Sequence, residues 1–78
     1  MGKNINLYYS KSGGLFDLVS EITFHEELEK IGMMNKWDDF ISWSTCMPIN
    51  NITYYYLHDV TRFLGYNNIK YKLILIDL

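Results

Sequence analysis

The 78 residues contain a single cysteine and a single proline. Cys46 alone cannot close an internal disulfide, so a disulfide framework is excluded and a reducing compartment is the expected setting. No apolar run approaches the ~20 residues of a membrane span. Residues 1–6 lack a basic region followed by an apolar core, so no signal peptide is expected and the cytoplasm is the default location. No repeat, low-complexity tract or linker is visible. Positive charge is scarce, with seven Lys and Arg against nine Asp and Glu, a formal net charge of −2. That balance argues against non-specific nucleic-acid binding.

Apolar residues make up 49% of the chain, enough to expect a folded core rather than disorder. Residues 1–78 are read as one domain, near the lower limit for an unaided core, since such a chain buries roughly 60% of its unfolded surface. Charge is unevenly placed. Glu21, Glu26, Glu27, Glu29, Asp38 and Asp39 meet only Lys30 and Lys36 in the middle, while Arg62, Lys70 and Lys72 lie near the end.

Local patterns place the elements. Ile5, Leu7 and Tyr9 alternate, which predicts a strand over 4–9. Lys11-Ser12-Gly13-Gly14 is a turn, and the β-branched and aromatic residues after it predict a hairpin with 15–22 extended. The same stretch carries a helical stripe, Leu15, Leu18, Val19 and Ile22. Thr23-Phe24-His25-Glu26 has capping-box spacing, and Phe24, Leu28 and Ile31 share a helical face that Gly32 ends. A second helix starts at Asn35-Lys36-Trp37-Asp38, with Trp37, Phe40 and Ile41 inward and Trp43 to one side. Residues 44–50, with Pro48, read as a loop.

Asn50 or Asn51 can cap a third helix. On that helix Ile52, Tyr56, Val60, Phe63 and Leu64 share one face, and Tyr54, Tyr55, His58, Thr61 and Arg62 fall opposite. Gly65 is the expected stop. Ile69, Tyr71, Leu73 and Leu75 then alternate with Lys70, Lys72, Ile74 and Ile76, a strand expected to be buried on both faces near its end. The order β-β-α-α-α-β predicts an α+β domain: a three-stranded antiparallel sheet with two or three helices on one face.

Candidate chemistry is sparse. Cys46, His25 and His58 are a nucleophile and bases by type, but nothing in their spacing brings them together. His25 and Glu29, at i and i+4, are too few for a structural zinc site. No enzyme activity, metal or cofactor is expected. The segment Tyr8-Tyr9-Ser10-Lys11-Ser12-Gly13-Gly14 resembles the start of a flavodoxin, which implies a phosphate loop followed by a helix. Asp59-Val60-Thr61-Arg62-Phe63-Leu64-Gly65-Tyr66 is similar to the "DV-x-x-x-LGY" segment of phage antirepressor and excisionase-like domains. That likeness implies a helix-turn-helix DNA-binding regulator with a recognition helix over 69–76.

The preferred expectation is a non-enzymatic protein-binding domain. Its contact residues are Tyr54, Tyr55, His58 and Arg62, with Tyr and Arg the types enriched in binding hot spots, and Glu26, Glu27, Asp38 and Asp39 as an acidic complement. In size and composition the chain is similar to phage inhibitors of host defence, anti-CRISPR proteins among them. This implies a larger host protein as partner, one with a basic nucleic-acid-binding site.

Overall fold

In the computed structural model, which describes residues 4–12 and 16–76, the order is β1 (Asn4–Ser12), β2 (Phe16–Ser20), α1 (Glu21–Lys30), a 3-10 turn (Met34–Lys36), α2 (Trp37–Trp43), β3 (Cys46–Ile49), β4 (Ile52–Tyr56), α3 (Leu57–Tyr66) and β5 (Lys70–Leu75). The strands form one sheet in the order β3-β4-β2-β1-β5. Its pairings are antiparallel except β1 with β5, which is parallel. The α+β class is as expected, but the three-stranded antiparallel sheet is corrected to a mixed five-stranded one.

The two extra strands come from the Asn pair. Asn50 and Asn51 both have positive φ, 50° and 67°, and close a two-residue loop between paired Ile49 and Ile52. This is the signature of a type I′ hairpin turn, not of a helix cap. Ile52-Thr53-Tyr54-Tyr55-Tyr56 consists entirely of β-branched and aromatic residues, so a strand is its intrinsic preference. The expected loop over 44–50 is thereby mostly β3. Asn51→Gly should raise the thermal midpoint modestly, because glycine takes the second left-handed position of this turn more cheaply than asparagine. A lower midpoint would count against the turn assignment.

Strands β2 and β4 each run into a helix without a loop. Ser20 (φ −66°, ψ 133°) and Tyr56 (φ −67°, ψ 135°) hold extended backbone, and the next residue is helical. The expected hairpin is present, but its extended backbone ends at Ser20: Glu21 and Ile22, expected in the strand, open α1, and residues 13–15 lie outside the described residues. Thr23 is not a cap, however, because α1 already begins at Glu21. The helix ends also match. Gly32 (φ 72°) and Asn68 (φ 55°) take the left-handed position. Behind them Met33 N–H donates to the Leu28 carbonyl and Ile69 N–H to that of Leu64, each 2.9 Å long, as in a Schellman motif. Gly65, the expected stop, stays within α3.

These likenesses extend to whole units. β1-β2-α1 and β3-β4-α3 are two strand-strand-helix units joined through β2 and β4, with Val19 opposite Tyr55 at the centre. Phe24 corresponds to Val60, Leu28 to Leu64 and Gly32 to Asn68. Leu28 and Leu64 are the single identical pair over 16–33 and 52–69, so the correspondence is invisible in the sequence. Each helix packs across the other unit's second strand, α1 over β4 and α3 over β2.

The core lies between one face of the sheet and the helices. Ile5, Leu7, Val19 and Tyr55 project from the sheet to meet Phe24 and Leu28 of α1, Phe40 of α2, and Val60, Phe63 and Leu64 of α3. Of the expected third-helix stripe, Val60, Phe63 and Leu64 are buried. Ile52 is exposed and Tyr56 half-buried, since they belong to β4. Ile22 and Ile41, placed inward from sequence, are exposed. The largest correction concerns β5, which is an edge strand with Tyr71, Leu73, Leu75 and Ile76 exposed rather than buried on both faces.

Candidate functional site at the α2–α3 shoulder

Helix α3 is amphipathic at 3.6-residue spacing. Val60, Phe63 and Leu64 are wholly buried, which turns His58, Arg62 and Tyr66, four residues apart each time, outward along one stripe. Helix α2 brings Trp43 alongside. The Arg62 guanidinium lies 5.6 Å from the Trp43 ring and 5.8 Å from the Tyr66 ring, and its Nη2 donates to Tyr66 Oη at 3.1 Å. The Trp43 and Tyr66 rings meet edge to face at 6.3 Å. The hydrogen bond to Tyr66 holds the Arg62 pKa above its ordinary value. All four side chains remain solvent-exposed, Tyr66 at 68%. Asp59, on the same helix, accepts the Thr45 N–H at 3.1 Å and ties down the chain leaving α2.

The structure separates the residues expected to form the contact surface. His58 and Arg62 stay together on α3. Tyr54 and Tyr55 belong to β4, where alternation sends them to opposite faces. Tyr55 is core, and its hydroxyl donates to Glu21 Oε2 at 2.9 Å. Burial, and then that bond, push the Tyr55 phenol well above its usual range. Tyr54 is half-buried. Glu26, Asp38 and Asp39 are exposed, but Glu27 is buried, accepting the Asn6 backbone N–H at 2.8 Å and Lys30 Nζ at 2.9 Å. Trp43 and Tyr66 were missed as site residues. The i, i+4 spacing of Arg62 and Tyr66 was available in the sequence, whereas the approach of Trp43 was not.

No protein-family model, curated protein or solved structure matches this chain. The site is therefore read from its chemistry alone. An open groove of about 330 Å³ runs beside the shoulder, lined by Phe16, Asp17, Tyr56, Leu57, His58 and Thr61. It presents one carboxylate and one imidazole among apolar walls. Cys46 is exposed on β3, while His25 packs on the Trp37 ring at 5.1 Å. His25 Nδ1 is 3.9 Å from Glu29 Oε2, and among the described residues no group of three metal-ligating side chains forms.

Two resemblances meet the structure differently from expectation. The segment after Gly14 is a strand from Phe16, where a flavodoxin-like phosphate loop needs a helix. The stretch expected as a recognition helix is β5. No helix among the described residues is long and apolar enough to cross a membrane.

Proposed function

We propose that this chain is a non-enzymatic protein-binding domain that engages its partner through the α2–α3 shoulder. The observation carrying this reading is the Arg62 guanidinium held over Trp43 and Tyr66 at the surface. Trp, Tyr and Arg are the residues that dominate binding energy at interfaces, because they combine large contact area with directed hydrogen bonds. Here they are already ordered against one another, which lowers the entropic cost of association. Exposed Glu26, Asp38 and Asp39 suit a partner with a basic surface, and a host nucleic-acid-binding protein inhibited by this chain is the corresponding proposal.

The test compares wild type with the double variant Arg62→Ala/Tyr66→Ala, both as bait in cell lysate and in thermal melts. A partner held by wild type should bind the variant at least ~2 kcal/mol more weakly. The midpoint should change little, since both side chains are exposed. A partner retained equally by both proteins would move the binding site elsewhere. A loss of stability in step with affinity would make the cluster structural.

A further inference from the structure

The two edges of the sheet differ. β3 is four residues long and carries Pro48, which cannot donate to a further strand. β5 is six residues long, Lys70-Tyr71-Lys72-Leu73-Ile74-Leu75, without proline. In a strand, successive residues direct their backbone groups to opposite sides. Ile76 N–H donates to the Tyr9 carbonyl at 2.8 Å, so the even-numbered residues of β5 face β1. The N–H and C=O groups of Tyr71, Leu73 and Leu75 therefore point to the open edge. Their side chains lie on the helix-bearing face, because they pair with Ile5, Leu7 and Tyr9 of β1. Unlike Ile5 and Leu7 they are uncovered, with exposures of 40%, 49% and 53%.

We infer that β5 is a self-association edge, on which a second copy of this chain pairs antiparallel about Leu73. The strand's own chemistry selects that occupant and that register. With Leu73 opposite its counterpart and Tyr71 opposite Leu75, each outward-facing residue forms a hydrogen-bonded pair. The exposed apolar stripe of one copy meets that of the other. Lys72 then faces Ile74 and Lys70 faces Ile76, so no lysine opposes a lysine. Moving the register so that Tyr71 faces Leu73 sets Lys72 against Lys72, which like-charge repulsion disfavours. Moving it the other way leaves Tyr71 without a partner inside the strand. The pairing is isologous and uses up both β5 edges, and Pro48 blunts the edges that remain. Assembly therefore stops at two copies, with all helices on one side of a continuous sheet.

Sedimentation velocity of the full chain across a concentration series tests this, together with amide exchange. Wild type should dimerise, and the amides of Tyr71, Leu73 and Leu75 should gain protection as concentration rises. Leu73→Lys puts two lysines face to face and should weaken the dimer at least about a hundredfold. The site is half-exposed, so circular dichroism should report an unchanged fold. Mixing Leu73→Lys with Leu73→Glu should restore a dimer, and Ile22→Lys on α1 should leave it intact. A wild type that stays monomeric overturns the inference and leaves the edge to a strand from another protein. So does a dimer indifferent to Leu73→Lys, or a Lys and Glu mixture that fails to associate.

Discussion

Replacing Phe40 by alanine should destabilise the domain by about 3–5 kcal/mol, the range for truncating a fully buried aromatic ring. Phe40 has no exposed surface, and its ring meets five others: Phe24 at 5.2 Å, Trp37 at 5.7 Å, Trp43 at 5.6 Å, Tyr55 at 4.9 Å and Phe63 at 5.0 Å. These neighbours come from α1, α2, β4 and α3, so the cavity would open where both strand-strand-helix units meet. Whole domains are stable by about 5–15 kcal/mol, so the loss is a large share of the total. Urea unfolding monitored by tryptophan fluorescence gives the difference directly. A midpoint within error of wild type would show that Phe40 is not the centre of the core.

Glu27→Ala should cost about 1–3 kcal/mol by removing a charge-assisted hydrogen bond to the part-buried Asn6 N–H. Strand β2 ends at Ser20 and turns into α1, so it no longer accompanies β1 as far as Asn6. The Asn6 N–H, on the β2 side of β1, is met by the Glu27 carboxylate at 2.8 Å. Burial works to raise the Glu27 pKa, but hydrogen bonds from Lys30 and from Asn6 outweigh it and hold it below the usual value. A depressed folded-state pKa means that the unfolded chain binds the proton more readily. This contribution is therefore complete above the unfolded carboxyl range and lost as pH falls through the folded value. Glu27→Gln keeps an acceptor for Asn6, so it should cost less than alanine and remove the loss of stability that sets in as pH falls below the unfolded carboxyl range. Equal losses for Gln and Ala at neutral pH would show that charge, not acceptance from Asn6, is what Glu27 contributes.

Much of the local structure was legible because it depends on neighbours in sequence. The alternation of Ile5, Leu7 and Tyr9, the face shared by Phe24 and Leu28, the stop at Gly32 and the burial of Val60, Phe63 and Leu64 all follow from period and backbone chemistry. The error over 50–56 arose from one residue type with two uses. Asparagine caps helices and also tolerates positive φ, and the strand preference of Ile52-Thr53-Tyr54-Tyr55-Tyr56 is what decides between the two uses. A helix there would make neighbours of two tyrosines that the strand sends to opposite faces.

By itself the sequence determined the α+β class, the apolar stripe of α3 and the outward placing of His58 and Arg62. These are set by contacts within a few residues along the chain. Only the tertiary structure decided that β5 is an edge, that Glu27 is buried, and that Trp43 stands against Arg62. It also decided that two units with one shared residue pair about Val19 and Tyr55. Each of these depends on which distant segment covers a given side chain, and no local period records that.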